Sequence, residues 1–462
     1  MINVARVALP DFGMEQVRPE ISVETYRARL SSARERMARA GLDFLAVYGD
    51  REHFANLAYL TGLDPRFEES LLLVDRKGRG LVIVGNECMG YLPDERLGLE
   101  VALFQDFSLM GQPRAASRPL GEIVSAFGIG RGGRVGCVGW KCYDSRLSAD
   151  TRYASDVPSY LVDLLREAAG GRENVTNAAG LFTDPADGLR IVNMEVEEIA
   201  RLEYAAILTS TAVLAVLRNF REGAAEDELA RWLDSRGLPL SCHPMIRFGE
   251  GAKRGLASPS QNRAKRGDPY TIGFGIVGSL TCRAGCVARG PQDLPASTRD
   301  FYPRLAANYF DVVAAWYGAL GVGARAGDVT AAAEAKRDDA LYRFAVNCGH
   351  YIHMDEWVHS PFTAGSPIPL RSGMALQMDI IPVSRGPFCY VNAEDGVVLA
   401  DEALRSALAA RAPACWKRIQ ARRAFMADAI GIRLDESVLP LSQTPAWLPP
   451  YALALENVFV AK

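Results

Sequence analysis

The sequence predicts a mixed α/β (α+β) fold of two domains and a C-terminal extension, on three observations. At 462 residues the chain is too long for one ordinary hydrophobic core. Amphipathic helix patterns alternate with short apolar runs along most of it. A long helix pattern at residues 194–222, with Gly223 at its natural stop, opens a second domain. The predicted domains are residues 1–190, 191–400 and 401–462.

The first domain combines helices with a sheet. Apolar residues recur at helical spacing over residues 23–40, and residues 44–48 form a short apolar run typical of a buried strand. Two more apolar runs, at residues 70–74 and 80–84, flank a Lys-Gly pair that suits a tight reversal, which predicts a hairpin. The other elements predicted in this domain are helices at residues 120–127 and 159–169 and a strand at residues 134–138.

The second domain and the extension are also mixed. Between residues 245 and 400 short apolar runs alternate with Gly-rich turns, a pattern typical of strands. The chain ends in an apolar, Pro-rich tail, which must be covered by its own domain or across a dimer. The helices predicted in this part cover residues 226–236, 298–320, 329–345 and 401–430.

Composition excludes several classes of partner. Lys plus Arg total 52 and Asp plus Glu total 55, so the formal charge of -3 leaves no excess cation to neutralise a nucleic acid backbone. The sequence does not start with a basic segment followed by an apolar run, and no stretch has the ~18 consecutive apolar residues of a spanning helix. Nine scattered cysteines do not form a disulfide framework. We therefore expect a soluble cytoplasmic protein that binds neither nucleic acid nor membranes.

Three segments carry a family resemblance. They are NLAYLTGL at residues 56–63, a helix running into GAAEDEL at residues 195–229, and GH, SGMALQMD and NAEDGVVL, in that order, within residues 349–399. These segments resemble those of the pita-bread superfamily of creatinase, aminopeptidase P and prolidase, over residues 20–400. The resemblance implies an N-terminal creatinase-like mixed-sheet domain, a C-terminal pita-bread catalytic domain and a homodimer.

The segment between Asp268 and Asp293 departs from the superfamily. In metal-using relatives this strand pair supplies two Asp ligands, whereas here (GDPYTIGFGIVGSLTCRAGCVARG) it contains no carboxylate after its Gly-Asp step. When the two sequences are aligned on that step, Gly273 stands where the relatives have their first Asp ligand. The position of their second Asp ligand falls within residues 282–284. The relatives' other ligands, a His and two Glu, fall on His350, Asp379 and Glu394.

This loss predicts chemistry without a metal or other cofactor. Two cations ~3.5–4 Å apart need bridging carboxylates, which the strand pair lacks. Arg283 would instead reverse the local potential and, with Cys282 beside it, bind a substrate carboxylate. A Cys282 thiolate activated by that guanidinium is an alternative nucleophile. Creatinase also lacks the metal, but its catalytic His shortly precedes the Gly-Asp step, where residues 255–266 contain none.

The candidate catalytic residues are a histidine cluster and a carboxylate pair. His350, His353 and His359 lie close together in HYIHMDEWVHSP, and in an extended segment alternation puts His350 on the face opposite the other two. Asp379 and Glu394 would face each other, where like charge raises one pKa and leaves a proton to donate. Either set can instead be a structural remnant.

Arg66 and Phe67 follow NLAYLTGLDP, on the loop that in dimeric relatives reaches the neighbouring subunit's pocket. The resemblance implies that this Arg and Phe clamp and cover a small polar substrate. The other interpretation is a surface turn.

The predicted function is that of a metal-independent, creatinase-like hydrolase that cleaves a carbon–nitrogen bond in a small carboxylate-bearing nitrogen compound. His350 would move a proton, and Asp379 and Glu394 would stabilise charge on the scissile nitrogen or activate water. One alternative is a metal-dependent Xaa-Pro aminopeptidase or dipeptidase with a reduced metal site of the same three residues. Another is a lyase, or a non-catalytic small-molecule binding protein, of the same fold.

Overall fold

The computed structural model describes residues 2–192 and 195–462 of the chain. Contacts divide the chain into the unit Ile21–Ile191 and a second unit made of Met1–Glu20 with Val192–Lys462. Residues 2–20, which the sequence analysis assigned to the N-terminal domain, are therefore part of the second unit. The C-terminal segment, predicted as an extension, belongs to that unit as well.

Strands and helices are mixed in both units, which confirms the fold class. Numbered along the described residues, the strands are β1 Ile2–Arg6, β2 Phe44–Gly49, β3 Ser70–Asp75, β4 Gly80–Val84, β5 Glu100–Leu103, β6 Val135–Val138, β7 Val175–Asn177, β8 Cys242–Phe248, β9 Pro269–Ile276, β10 Ser279–Cys286, β11 Tyr342–Phe344, β12 His350–Tyr351, β13 Ala375–Asp379, β14 Pro382–Ser384, β15 Asn392–Leu399, β16 Val438–Pro440 and β17 Asn457–Ala461. The helices are α1 Val23–Arg39, α2 Ala55–Thr61, α3 Leu120–Phe127, α4 Ser159–Ala169, α5 Gly180–Thr183, α6 Leu189–Val192, α7 Val196–Arg218, α8 Glu226–Ala230, α9 Phe301–Ala319, α10 Ala326–Lys336, α11 Glu402–Arg411 and α12 Pro413–Phe425.

The unit Ile21–Ile191 is built on a six-stranded sheet in the order β5-β4-β3-β2-β6-β7. The predicted hairpin is confirmed as β3 and β4, which pair antiparallel with Leu72 opposite Val82. Strand β2 pairs in parallel with β6 on its other side. Helices α3 and α4 bury their apolar residues, such as Ile123 and Leu161, in one core with this sheet.

The second unit holds the larger sheet, in the order β12-β13-β15-β10-β9-β8 with β16 beside β15. The predicted strand pair between residues 268 and 293 is confirmed as the antiparallel hairpin of β9 and β10. Helix α7 packs on this sheet, and Ile199 and Leu202 share a core with Leu280 of β10. This helix is long and apolar enough to cross a membrane, but 83% of its most apolar window is buried inside the protein, which is typical of a core helix.

Three predicted helices of the second unit differ most from their predicted spans, whereas α7 and α9 lie within theirs. The stretch predicted at residues 401–430 is divided between α11 and α12, because Pro413 disfavours helical backbone at the preceding Ala412, which has φ −135° and ψ 60°. The helix predicted at residues 329–345 ends at Lys336 as α10, and the chain then enters β11, which pairs with β14. The helix predicted at residues 226–236 ends at Ala230.

The two ends of the chain meet in the second unit. Strand β1 pairs antiparallel with β17, and Ile2 is opposite Ala461. The Pro-rich tail is covered by its own unit, since residues 437–452 are all buried and β16 joins the sheet beside β15. The tail is therefore part of the core.

A buried ion pair fastens this tail to the sheet. The guanidinium of Arg283 on β10 donates to both carboxylate oxygens of Asp395 on β15, at 2.9 and 3.0 Å. It also donates to the carbonyl and hydroxyl oxygens of Thr444, at 2.6 and 2.7 Å, and to the Trp447 carbonyl at 3.2 Å. Asp395 accepts the Ala446 N–H as well, at 3.2 Å. Burial raises the pKa of Asp395, and the neighbouring Arg283 opposes that shift.

We expect Arg283→Met to lower the free energy of unfolding by about 3–5 kcal/mol, because it leaves the buried Asp395 carboxylate without its cation. Unfolding in denaturant measures the loss. Arg325→Met is the matched control, since Arg325 forms an exposed pair with Asp328 and its loss costs about 1 kcal/mol or less. Equal losses in the two variants would contradict the assignment of the tail's anchor to Arg283.

Candidate functional site

The register of four neighbouring strands brings the candidate residues into one row. Cys282 on β10 is opposite Glu394 on β15, and Glu394 is opposite Asp379 on β13. On the other side of Cys282, its partner on β9 is Gly273. Side chains directly opposite each other in an antiparallel sheet share a face. Cys282, Glu394 and Asp379 therefore stand side by side on one face of the sheet.

Strand β12 adds His350 to this face. His350 pairs with Gln377, which precedes Asp379 by two positions on β13. The close approach depends on Gly349, which has φ 152° and at which a Cβ would lie 2.7 Å from the Gln377 carbonyl oxygen. The buried imidazole stacks on Trp357, with ring centroids 4.2 Å apart and an interplanar angle of 19°. The stacking partner holds the ring in one orientation.

Side-chain atoms of His350, Asp379 and Glu394 converge at this point. His350 Nε2 lies 3.6 Å from Glu394 Oε1 and 3.9 Å from Asp379 Oδ2. Within the described part of the chain, His350 Nε2, Asp379 Oδ1 and Glu394 Oε1 are buried without a hydrogen-bond partner. The other ring nitrogen, Nδ1, is 3.1 Å from the Tyr351 carbonyl oxygen, which favours a proton on Nδ1 and a lone pair on Nε2.

Burial sets the protonation of this cluster. It raises the pKa of Glu394 to about 7. It also raises the pKa of Asp379 well above its ordinary value, and the nearby Glu394 adds to that shift. Burial lowers the pKa of His350, although Asp379 opposes the change. Near neutral pH the cluster therefore holds an acidic proton beside a neutral imidazole.

The strand pair that lacks carboxylates also lacks room for one. A Cβ at Gly273 would lie 2.5 Å from Met245 Cε and 3.1 Å from Cys282 Sγ, so these two side chains fill the space above the glycine. The residues present do not fit a centre of two cations, which needs bridging carboxylates. A single cation does fit the donor set, because His350, Asp379 and Glu394 offer ligand atoms that all lie within 4.8 Å of one another.

The structure corrects the prediction that Arg283 binds a substrate anion. Arg283 follows Cys282 on β10, and strand alternation turns its side chain to the opposite face, where Asp395 neutralises the guanidinium. The predicted reversal of the local potential is therefore wrong. Cys282 is the residue beside Glu394. Burial, and then Glu394, raises the pKa of its thiol well above the ordinary value, which argues against the thiolate nucleophile.

His353 and His359 do not join the cluster. The extended segment ends at Tyr351, so the alternation expected over residues 350–359 does not form. The buried His353 places Nε2 3.6 Å from Glu198 Oε1 of α7. His359 is exposed, and its Nδ1 accepts the Ser360 N–H at 2.8 Å. Neither is among the three residues whose ligand atoms converge, so their predicted catalytic role lacks support.

Arg66 and Phe67 lie in the unit Ile21–Ile191. The Arg66 guanidinium donates to the Tyr91 hydroxyl at 3.0 Å and lies 5.1 Å from the centre of that ring. The Phe67 side chain is 51% exposed. Their role as a substrate clamp remains a prediction.

Several residues at this face were missed by the sequence analysis. Trp357 stacks on His350 from an irregular segment, where periodicity gives no signal. Its neighbour Glu356 has a pKa raised by burial and then by Glu394, which places it near the cluster. Gln377 could have been found, because a residue two positions before Asp379 on a strand shares its face.

Asp379 and Glu394 are among the residues that line a cavity of about 130 Å³. Its walls are mainly apolar. The large apolar side chains that line it are those of Met245, Leu256, Ile272, Ile381, Tyr390 and Val391.

Comparison with known proteins agrees with this architecture. Residues 200–404 match the model of metallopeptidase family M24. The Xaa-Pro dipeptidase from Bacillus anthracis has TM-score 0.62 and 17% identity, over 82% of this chain and 96% of that one. The prolidase from Pyrococcus horikoshii OT3 has TM-score 0.61 and 17% identity, over 81% and 95%. An Escherichia coli aminopeptidase P variant has TM-score 0.57 and 14% identity, over 82% and 93%.

No curated protein matches. The solved structures share the two-domain fold, and with the family match they support a hydrolase.

The raised pKa values have a consequence for stability. A carboxyl group whose folded pKa exceeds its unfolded value stabilises the fold at low pH, and this contribution is lost as pH rises through the folded pKa. We expect the free energy of unfolding of chelator-treated protein to fall as pH rises from 4.5, the ordinary value of Glu394, to about 7. Glu394→Gln should remove up to roughly 3 kcal/mol of this dependence.

Denaturant unfolding at several pH values measures this dependence. Glu436→Gln, at a carboxylate whose side chain is 80% exposed, is the control and should keep the wild-type dependence. The same pH dependence in wild type and Glu394→Gln would show that Glu394 does not hold a proton in the folded protein.

Proposed function

We propose that the chain is a hydrolase that cleaves a carbon–nitrogen bond without a dinuclear metal centre. The match of residues 200–404 to the model of metallopeptidase family M24 and the pita-bread fold shared with the prolidase-like structures support a hydrolase. The observation that carries the proposal is the buried convergence of His350, Asp379 and Glu394. Two of these are carboxyl groups that retain a proton near neutral pH, and the third is a neutral base.

The carboxyl pair supplies the acid. When the carbon–nitrogen bond breaks, the leaving nitrogen needs a proton, because an unprotonated amine anion is a poor leaving group. Burial keeps a proton on Glu394 up to a pKa of about 7, and Asp379 stays protonated for the same reason. We assign delivery of that proton to Glu394, which is nearer to His350 Nε2 than Asp379 is.

His350 supplies the base. The contact of Nδ1 with the Tyr351 carbonyl leaves the Nε2 lone pair facing the carboxyl groups. A water molecule between them loses one proton to Nε2, and its oxygen attacks the carbon of the scissile bond. The carboxyl proton goes to the nitrogen, and transfer of the Nε2 proton back to the carboxylate restores both groups. Stacking on Trp357 keeps the imidazole ring in the same orientation during both proton transfers.

The cavity supports a small nitrogen compound as substrate. Its size, about 130 Å³, and its apolar walls favour a compact molecule. Nitrogen N–H groups of the substrate would face the carboxyl oxygens of Asp379 and Glu394. Arg283 is among the residues that line this cavity, but its guanidinium is bound to Asp395 on the other face of the sheet. We therefore omit from the proposal the substrate carboxylate that it was predicted to bind.

One observation favours a second candidate, a hydrolase with a single metal ion. The unpartnered atoms of His350, Asp379 and Glu394 form a donor set that one cation can fill. A bound cation would supply Lewis-acid polarisation of the scissile group or of water. In that case both carboxyl groups would be ionised ligands, and the Tyr351 carbonyl would orient the imidazole of His350.

Metal analysis separates the two candidates. We expect protein purified without added metal to contain far less than one metal ion per chain and to hydrolyse members of a panel of small amides and dipeptides in the presence of chelator. Glu394→Gln and His350→Asn should each lower kcat by about 10²–10⁴-fold, the usual contribution of a general acid or base. His359→Asn is the matched control outside the cluster and should leave kcat unchanged. Stoichiometric zinc, manganese or iron, with activity lost in chelator, would establish the single-metal candidate instead.

The pH–rate profile tests the assigned roles. His350 must be neutral, so kcat/KM should fall as pH drops below its pKa, which lies under the ordinary 6.5. Glu394 must keep its proton, so kcat/KM should also fall as pH rises above about 7. The result is a narrow maximum between these two values. A rate that keeps rising above pH 7 would exclude Glu394 as the acid.

A further inference from the structure

The part of the site without carboxylates is an apolar wall. Met245 on β8 is opposite Gly273 on β9 and is 6% exposed. Its terminal methyl group occupies the space above the glycine. Tyr390 and Val391, just before β15, continue the lining towards Glu394. An apolar group in this cavity would therefore meet apolar side chains.

The mouth of the cavity is apolar and exposed. Leu256 and Ile381 line the cavity while being 78% and 37% exposed. The loop that carries Leu256 is held to β8, because His243 Nε2 lies 2.5 Å from the Leu256 carbonyl oxygen. Large apolar side chains held at the mouth of a cavity are typical of a ligand-binding site.

The floor of the cavity is polar. Asp379 and Glu394 line it, and Asp379 Oδ1 and Glu394 Oε1 are buried without a hydrogen-bond partner within the described part of the chain. Buried acceptors without partners are costly, and N–H groups of a ligand can satisfy them. A carboxyl group that has given its proton to the leaving nitrogen is a carboxylate, and an ammonium ion satisfies that carboxylate best. The cavity therefore combines a nitrogen-binding floor with walls that favour a hydrocarbon.

The volume limits that hydrocarbon. The cavity measures about 130 Å³. An apolar cavity of about 150 Å³ accommodates benzene. An alkyl group of about six carbons at most can therefore enter while its nitrogen contacts the floor.

We infer that this cavity is a specificity pocket for one compact alkyl group attached to the scissile nitrogen, which hydrolysis releases as an amine, and that Met245 sets the length limit. The inference rests on the proposed function, since it assigns a substrate class to the same site. The pocket would select ligands by the length of the alkyl group, because Met245 occupies space that would otherwise lengthen it.

A homologous series of n-alkylammonium ions, from methyl to octyl, tests the inference. Titration calorimetry on the full chain after chelator treatment should show affinity rising about fourfold with each methylene group, up to about six carbons, and falling beyond that length. Met245→Ala should move the maximum to longer chains. Gly273→Ala should move it to shorter chains, because the added Cβ would push the Met245 methyl group into the cavity.

Met37→Ala is the matched control, since Met37 is also fully buried but lies in α1 of the other unit, and this change should leave the maximum in place. If Met245→Ala does not fold, Gly273→Ala carries the test. Affinity that does not depend on chain length, or a maximum that stays in place in the folded variants, would overturn the inference. Because binding is measured without turnover, failure of the proposed hydrolysis would appear in the metal and rate assays and not in this result.

Discussion

Neighbouring residues on β10 and β15 point to opposite faces of one sheet, and the rest of the second unit depends on this alternation. Cys282 and Glu394 face the cavity, whereas Arg283 and Asp395, one position further on, form the ion pair that holds the tail. The same guanidinium donates to the Glu394 carbonyl oxygen at 3.2 Å. Contacts on the opposite face of the sheet therefore hold the strand that carries Glu394. They limit the movement of its carboxyl group relative to His350, as a preorganised site requires.

Burial is the common cause of the unusual protonation in the cluster. It disfavours every charged form, so it raises the pKa of Asp379 and Glu394 and lowers that of His350. The loss of two carboxylates from the β9–β10 hairpin also lowers the charge of the site. At Gly273, where the first Asp ligand of the relatives would fall, Met245 and Cys282 fill the space instead. The result is a site of lower charge and greater apolar contact.

Local patterns in the sequence predicted much of the fold. The β3–β4 hairpin and helices α3 and α4 follow from periodicity and turn residues within each segment. The order of short motifs predicted that His350, Asp379 and Glu394 come together, which depends on strands distant in sequence. Helix ends were less accurate: residues after Lys336 leave α10 because β11 pairs with β14, an interaction that no local window contains.

The candidate site was predicted only in part, because the sequence does not show which residues stand opposite each other on neighbouring strands. Alternation shows that Cys282 and Arg283 point to opposite faces, but which one faces Glu394 depends on the pairing of β10 with β15. The sequence analysis assigned Arg283 to the wrong face for this reason. Met245 reaches the site through the pairing of β8 with β9, and Trp357 through an irregular segment. Neither contact leaves a periodic signal in the sequence.

The pairing of β1 with β17 has a consequence for the nascent chain. Domains generally fold as units as they leave the ribosome, and Ile21–Ile191 contains every strand of its own sheet. Strand β1 precedes that unit in the chain but pairs with Asn457–Ala461, so it stays without its partner while the residues between the two strands are synthesised. The larger sheet, which carries the carboxyl pair, is likewise completed only after β16 and the residues that cover Arg283 have left the ribosome.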